Sequence, residues 1–156
     1  MIEYKDINSN EDAMKEAFKD YLDADEEIIG VFKPNKKRYY WSYWMFLIPA
    51  FWPHLILATI FTLGFFPFVF AKKGYENLCY AYTNKRIIVR SGSMGINYRS
   101  IDYKDIIATE ADISYMDRKY NTGSISFRTQ HQGVGFRYIE NPYDVLREMR
   151  EYMENK

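Results

Sequence analysis

The feature that most constrains this chain is a long run without charge near its middle. Residues 39–71 contain no Asp, Glu, Lys or Arg, although charged residues make up 27% of the whole sequence. A helix buried in a water-soluble domain rarely needs more than about 10–14 such residues, whereas a helix that spans a bilayer needs about 20. The run therefore predicts a membrane segment, and it separates the chain into two more polar parts.

The residues at both ends of the run are typical of a membrane–water interface. Aromatic rings that carry a polar atom favour this zone, because the ring stays in apolar surroundings while the polar atom meets water. Basic side chains precede and follow the run, as expected where a segment enters a bilayer. The predicted membrane-interface residues are Lys36, Lys37, Arg38, Tyr39, Tyr40, Trp41, Trp44, Lys72 and Lys73.

The sequence leaves open whether the run crosses the bilayer once or twice. One tilted helix over about residues 45–66 would match the bilayer thickness. Two shorter helices, over about residues 39–51 and 54–71, would form a hairpin that turns at Trp52-Pro53. We favour the hairpin, because basic residues at both ends of the run favour the cytoplasmic side for both of them.

The part of the chain before the run contains two predicted elements. Residues 1–25 form a polar segment, in which residues 9–12 resemble a capping box and a short amphipathic helix follows to about Leu22. Met14 and Phe18 lie on the apolar face of this helix. Residues 26–38 carry the first β-strand, which Pro34 closes.

Residues 74–156 contain the remaining strands and a C-terminal helix. Short apolar stretches alternate with turn residues, which predicts strands over residues 77–82, 86–90, 96–103, 106–114, 124–128 and 136–139. Residues 115–122 are predicted to be a polar loop. Asn141 is expected to cap the final helix and Pro142 to take its first position, and Val145, Leu146 and Met149 form an apolar stripe along it.

Seven short antiparallel strands must hide their edges, either by closing or by packing face to face. A terminal helix can then cover an open end of the structure. The predicted fold class is therefore α+β, mainly β. We expect a small antiparallel barrel or sandwich that is capped by a C-terminal helix and carries a short N-terminal helix and an inserted apolar membrane hairpin.

Several motifs resemble those of the bacterial pleckstrin-homology (PH) domains of small membrane proteins. In that family a strand ending in proline precedes an apolar hairpin, and a Thr-Asn-Lys-Arg turn follows it; Pro34, residues 39–71 and residues 83–86 occupy those places here. The resemblance implies a PH-like seven-stranded fold at the inner membrane face, without catalytic residues. The matching stretches are residues 82–89, 91–92, 100–106, 123–127 and 139–145.

The composition argues against several classes of function. Basic and acidic residues number 21 each, so the formal net charge is zero and no nucleic-acid partner is predicted. Cys79 lies in an apolar stretch and is expected to be a small buried side chain. Neither His54 nor His131 has other ligand types at metal spacing. We therefore predict no metal, no cofactor and no catalytic residues, and hence no enzymatic activity.

The leading functional prediction is a membrane-tethered interaction module in the cell membrane, with its folded domain on the cytoplasmic side. Such a domain would bind a protein partner or form a homo-oligomer. Tyr115, Tyr120 and Tyr138 lie in polar or alternating stretches and are expected to be exposed for such contacts.

The alternative prediction is recognition of anionic lipid headgroups. A basic side chain near an anionic membrane surface contributes about 1 kcal/mol to membrane binding. Basic residues in turns and edge strands, gathered at one mouth of the domain, would provide such a site. The candidates for lipid or partner contact are Lys85, Arg86, Arg90, Arg99, Arg118 and Lys119.

Overall fold

The seven strands divide into two antiparallel sheets. The computed structural model describes residues 10–47 and 65–154. The first sheet has the strand order β1-β2-β3-β4, and the second has the order β5-β6-β7. All seven predicted strands are confirmed, with ends shifted by a few residues. They are β1 (Ile28–Phe32), β2 (Cys79–Thr83), β3 (Arg86–Ser91), β4 (Asn97–Asp102), β5 (Ala108–Asp112), β6 (Thr122–Arg128) and β7 (Gly133–Glu140).

Helices lie before, between and after the strands. None of the helices within residues 10–47 and 65–154 has the length and apolar character that a membrane crossing requires. The predicted hairpin turn at Trp52-Pro53 lies outside the described residues. The α-helices are α1 (Glu11–Glu16), α2 (Lys36–Leu47), α3 (Phe65–Asn77), α4 (Tyr115–Tyr120) and α5 (Pro142–Glu154), with 3-10 turns at Lys19–Tyr21 and Tyr103–Asp105.

Strands β1 and β2 join the two parts of the chain that flank the uncharged run. Val31 pairs with Ala81 in antiparallel register. Helices α2 and α3 also contact each other, and the ring centroids of Tyr39 and Tyr75 lie 5.3 Å apart. The first strand therefore belongs to the same sheet as the later strands, as the sequence predicts.

The main core lies between the two sheets and under α5. Phe136 of β7 is fully buried, and its ring stacks on that of Tyr80 at 4.8 Å and meets the ring of Phe127 edge-on at 5.4 Å. The predicted apolar stripe of α5 is confirmed, because Val145, Leu146 and Met149 pack into this core. Helix α5 thus covers one end of the sandwich.

The two sheets form an open sandwich. No strand pairing joins the first sheet to the second within the described residues, so β4 and β7 are both edge strands. Of the two predicted alternatives, barrel and sandwich, the sandwich is the one observed. The open side between β4 and β7 borders α2.

The N-terminal helix covers the outer face of the first sheet. Met14 and Phe18 pack there with Cys79, Ala81 and Ile88 in a second apolar cluster. Strand β2 is therefore buried on both faces, which explains its uninterrupted apolar sequence. Burial also raises the pKa of the Cys79 thiol to about 11. The prediction that Cys79 is a small buried side chain is confirmed, and such a thiol is unreactive at neutral pH.

The predicted N-terminal helix is shorter than expected. Its N-cap is Asn10, whose side chain accepts a hydrogen bond from the Asp12 backbone at 3.3 Å, while Ser9 lies outside the described residues. The α-helix ends at Glu16 instead of continuing to Leu22. The carbonyl of Ala17 accepts a hydrogen bond from the Tyr98 hydroxyl at 2.9 Å, so tertiary contacts replace the next helical turn.

The prediction of a polar loop over residues 115–122 is wrong. Residues Tyr115–Tyr120 form α4, which a capping box begins: Ser114 and Asp117 each accept a hydrogen bond from the other's backbone N–H. Asn121 closes the helix in the left-handed conformation, with φ of 51°. The Ser-x-x-Asp spacing carried this signal, but the polar composition of the segment obscured it.

Candidate functional site

A groove of about 650 Å³ opens between the two sheets beside α2. Tyr39, Ser42 and Tyr43 line it from α2, and Arg99 of β4 and Arg137 of β7 line it from the two sheets. The wall also includes the hydroxyls of Ser91 and Tyr138, apolar side chains and two glycines of β7. The groove thus combines neutral hydroxyl groups with two basic side chains.

The charged side chains that line the groove are both basic. Both Arg99 and Arg137 are exposed. Neither guanidinium makes a hydrogen bond or an ion pair with a residue in the described part of the chain, and no Asp or Glu lines the groove there. By contrast, Arg128 pairs with Glu110 at 2.8 Å and Arg147 with Asp144 at 2.9 Å. Two cations are therefore available to an anionic group that enters the groove.

The hydroxyl of Tyr80 holds the backbone that carries Arg137. It donates to the Arg137 carbonyl at 3.2 Å and accepts from the Arg137 N–H at 3.0 Å. Burial of this side chain raises the pKa of Tyr80 far above its ordinary value, so the phenol stays neutral and can do both. The hydrogen bonds link β7 to β2 across the sandwich and keep Arg137 in place.

We expect Tyr80→Phe to lower the free energy of unfolding by about 2 kcal/mol, because two partly buried backbone groups of Arg137 lose their partner. The melting temperature of the purified chain should then fall by about 5 °C. Tyr115→Phe is the matched control, since the Tyr115 side chain is 84% exposed and should change the melting temperature by no more than about 1 °C. Equal melting temperatures for the two variants would contradict the assigned role of Tyr80.

A buried ion pair joins α2 to α4. Arg38 Nε donates to Asp117 Oδ1 at 2.6 Å, and the side chains are only 10% and 6% exposed. The guanidinium also lies over the Tyr138 ring, 4.5 Å from its centroid. Burial by itself would raise the pKa of Asp117, but hydrogen bonds from Ser114 and Arg38 outweigh it and lower that pKa. The carboxylate is therefore charged, and it ties α2 to α4.

Aromatic side chains cluster where the N-terminal end of α2 meets the C-terminal end of α3. The ring of Tyr75 lies 5.3 Å from that of Tyr39 and 5.8 Å from that of Tyr40. Lys33 lies over Tyr75 at 4.9 Å, and the Tyr75 hydroxyl donates to the Pro34 carbonyl at 3.1 Å. The start of α2 and the end of α3 therefore pack against each other and against the segment that follows β1.

Comparison with known families identifies the fold. A family model described as a bacterial PH domain matches residues 43–154. The chain belongs to the bacterial PH-domain family. Elements α1 and β1 and the start of α2 precede the matched residues, although β1 is paired into the first sheet.

Two crystal structures are similar to this bacterial PH domain. One is a DUF1696 family protein with a pleckstrin-homology domain from Shewanella loihica PV-4, at 12% identity, covering 94% of this chain and 97% of that chain with a TM-score of 0.49. The other is a pleckstrin homology domain from Shewanella amazonensis SB2B, at 12% identity, covering 92% and 97% with a TM-score of 0.50. Identities this low concern the fold alone. No curated protein matches the sequence.

The structure of the PH domain does not bring the six predicted contact residues together. Lys85 pairs with Asp25, and Arg86 holds Glu26 at 2.7 Å. The Arg90 guanidinium is buried and donates to the Asn77 carbonyl at the end of α3. Arg118 and Lys119 lie exposed on α4, away from the groove lining. Of the six, only Arg99 lines the groove.

The turn between β2 and β3 has a structural role, because its Arg86 pairs with Glu26, which precedes β1. Glu26 is buried, and it accepts hydrogen bonds from both Arg86 and the Thr83 hydroxyl, the latter at 2.7 Å. Burial alone would raise the pKa of Glu26, but these hydrogen bonds outweigh it and lower the pKa. The Thr-Asn-Lys-Arg motif therefore anchors the chain before β1 to the sheet.

The predicted membrane-interface residues fall into two groups. Lys36 and Lys37 at the start of α2 are exposed, as are Lys72 and Lys73 on α3, whereas Arg38 turns inward to Asp117. Tyr39 is buried and Tyr40 and Trp41 are half-buried at the base of α2, while the side chain of Trp44 lies outside the described residues.

Sequence reasoning missed Arg137 as a site residue. The alternation of Phe136, Arg137 and Tyr138 indicates that Arg137 points away from the core. The sequence does not reveal, however, that β4 and β7 border one groove, because that depends on how the two sheets pack. The pairing of Arg38 with Asp117 was missed for the same reason.

Proposed function

We propose that this bacterial PH domain is a membrane-tethered interaction module at the cytoplasmic face of the cell membrane. It binds and does not catalyse. The observation that carries the proposal is the pairing of β1 with β2, which flank the uncharged run. A run inserted between two paired strands must enter and leave a bilayer on the same face, which favours the hairpin over a single crossing. In this form the chain is one of the small membrane proteins that carry such domains.

The packing of the two helix bases supports a fixed orientation of the domain on the membrane. The Arg38–Asp117 pair and the tyrosines around Tyr75 hold α2 and α3 against the sheets. Exposed lysines flank the run on both sides, as the positive-inside tendency requires for two cytoplasmic ends. The tether therefore presents one side of the domain to the bilayer and leaves the rest open to partners.

Alkaline extraction of membranes from cells that express the full chain tests the tether. The wild-type chain should remain in the membrane pellet. A variant with Ile56→Asp and Ile60→Asp places two charges in the uncharged run, each costing about 2.5–3.5 kcal/mol in a bilayer, and should move into the supernatant. Asn97→Asp, at an exposed position of β4, is the control and should stay in the pellet. Release of the wild-type chain would refute the tether.

A protein partner or a second copy of the chain is the proposed ligand of the exposed surface. Tyr115 is 84% exposed at the start of α4, a position that leaves a large aromatic ring for contact. Tyr138, by contrast, is half-buried under Arg38, and its hydroxyl meets Ser42 at 3.3 Å. Tyr115 is therefore retained as a contact candidate and Tyr138 is assigned to packing.

A photo-crosslinking residue at Tyr115 tests this part of the proposal in intact membranes. We expect one adduct of defined mass, at twice the mass of the chain if the partner is a second copy. Lys19, on the outer face of the first sheet, is the control position and should give no adduct of that mass. Absence of a Tyr115-specific adduct would exclude this surface.

A further inference from the structure

We propose that the groove between β4, β7 and α2 binds an extended acidic segment of a partner protein, which adds to the free edge of β7 as a further strand. The inference rests on the proposed role as an interaction module, and it adds a contact surface and the chemistry of the partner. This surface is separate from Tyr115, which lies on α4 outside the groove.

The backbone of β7 presents unpaired hydrogen-bonding groups at its free edge. The Ile107 N–H donates to the Arg128 carbonyl at 2.8 Å, so the backbone of Arg128 faces β5. Gly133 lies opposite Arg128 in the pairing of β6 with β7, and its own N–H and carbonyl therefore point away from β6. The alternation along the strand orients the backbone of Gly135 in the same way. Within the described residues, neither glycine has a backbone hydrogen bond on that side.

The rest of this edge is already occupied by the chain itself. The Arg137 N–H and carbonyl both bond to the Tyr80 hydroxyl. The Tyr138 carbonyl accepts a hydrogen bond from the Asn35 N–H at 2.7 Å. The free part of the edge is therefore short and is made of glycines. Glycine in a strand often marks a place where another backbone approaches closely.

The space beside this edge is where a fourth strand of the second sheet would lie. The first sheet has four strands and the second has three. The floor of the groove is the inner face of the first sheet, through Leu78, Tyr80 and Val89. Tyr39 and Tyr43 of α2 form the far wall. An extended segment paired with β7 would cover this floor and direct alternate side chains at it.

The charge of the groove selects an acidic segment. Arg99 and Arg137 line the groove from different sheets, and within the described residues no Asp or Glu lines it. A guanidinium offers paired N–H donors to a carboxylate. The other edge of the second sheet, β5, instead carries Glu110 and Asp112, which would repel an acidic strand. Of these two edges, β7 is the one that fits.

A separate protein is a better source of this segment than a second copy of the chain. The most acidic stretch of the sequence is residues 23–27. Asp25 and Glu26 in this stretch already pair with Lys85 and Arg86 of the same chain. A second copy would have to break these ion pairs to offer the stretch to the groove.

Peptide binding to the purified full chain, measured by isothermal titration calorimetry, tests the site. The probe is a peptide of about six residues in which glutamate and valine alternate, as in a half-buried strand. It should bind about tenfold more tightly than the same peptide with lysine in place of glutamate, because two ion pairs contribute several-fold each.

Backbone methylation of the probe tests the strand pairing. One form is N-methylated at its valines and the other at its glutamates, and only one of these two sets of N–H groups faces β7 in a paired strand. One form should therefore bind at least about tenfold more weakly than the other. Equal affinities of the two forms would overturn the strand pairing.

Substitution of the two arginines tests the charged contacts. The variant R99Q/R137Q should lose the preference for the glutamate peptide. Both side chains are exposed and without partners in the described chain, so its melting temperature should match that of the wild type. The matched control R118Q/K119Q removes two charges from exposed positions outside the groove and should keep the preference to within about twofold. Equal losses in both variants would mean attraction by overall charge and would overturn the site.

Hydrogen exchange locates the bound peptide. The amides of Gly133 and Gly135 should exchange several-fold more slowly when the glutamate peptide is bound, because they gain hydrogen-bond partners. The amides of β5 should be unchanged. Slower exchange at β5 instead would place the peptide at the other edge of the sheet and overturn the inference.

Two further measurements identify a different occupant of the groove. Self-association in sedimentation that R99Q/R137Q abolishes would make the occupant a second copy. Binding to phosphatidylglycerol vesicles that needs both arginines, without binding of the glutamate peptide, would make it a lipid. Either result would overturn the inference.

The peptide measurements are independent of those that test the proposed function. If the wild-type chain stays in the membrane pellet and gives the Tyr115 adduct but does not bind the glutamate peptide, only the groove site is wrong. If the peptide binds as expected but the wild-type chain is released by alkaline extraction, the tether is wrong and the groove site stands.

Discussion

The variant Asp117→Asn is expected to lower the free energy of unfolding by about 3 kcal/mol. Removing one partner of a buried ion pair leaves the other charge uncompensated, and Arg38 is 10% exposed. Asparagine has nearly the same volume as aspartate, so the effect reports charge and hydrogen bonding with little change in packing. The melting temperature of the purified chain should fall by about 10 °C.

Two comparisons make this prediction specific. Asp144→Asn removes an exposed partner of Arg147, a pair with side chains 65% and 70% exposed, and should cost no more than about 0.5 kcal/mol. The double variant Arg38→Met with Asp117→Leu removes both buried charges and should recover much of the lost stability. A melting temperature for Asp117→Asn equal to that of the wild type would contradict the role of the pair.

The same substitution should change the response to acid. The folded-state pKa of Asp117 is lowered, so its contribution to stability is present above the unfolded pKa, about 3.9, and is lost as pH falls through the folded pKa. The wild-type melting temperature should therefore fall as the pH drops below about 4, and Asp117→Asn should flatten part of that decline. Glu26, whose pKa is also lowered, accounts for a further share.

The variant Phe136→Ala is expected to have the larger effect of the two, about 4 kcal/mol. Phe136 is fully buried, and its ring contacts those of Phe32, Tyr80 and Phe127 across both sheets. Truncating a buried phenylalanine removes its transfer free energy and leaves a cavity in the core. The melting temperature should fall by more than about 10 °C.

Tyr143→Ala is the control for Phe136→Ala, because Tyr143 is 62% exposed at the start of α5. It should change the free energy of unfolding by less than about 0.5 kcal/mol. If Phe136→Ala cost as little as this control, the two sheets would not share the core described here.

Local signals in the sequence were sufficient for most of the fold. Alternating apolar residues between turns predicted the strands, and Asn141 with Pro142 predicted the start of α5, because these signals lie within a few neighbouring residues. Helix α4 was missed since its cap, Ser114 with Asp117, has no apolar stripe behind it. The N-terminal helix ends early because the hydroxyl of Tyr98, far along the chain, donates to the carbonyl of Ala17, the residue that follows the helix.

The site was harder to predict, because it depends on contacts between distant residues. The sequence indicates that Lys85 and Arg86 are solvent-exposed charges in a turn. In the structure they form ion pairs with Asp25 and Glu26, which precede β1. Arg99 and Arg137 share a groove only once the two sheets have packed. Sequence reasoning thus supplied the residue types of the site but not which of them converge.

The most direct test of the central claim is the sidedness of the domain in intact cells. A cysteine introduced at Lys19, before the uncharged run, and one at Arg150, after it, can be labelled with a membrane-impermeant maleimide. Both positions are exposed, and the native Cys79 is buried, so it should not react. We predict that both positions are labelled only after the membrane is permeabilised. Labelling of one position in intact cells would contradict the account, because β1 and β2 would then lie on opposite sides of the membrane.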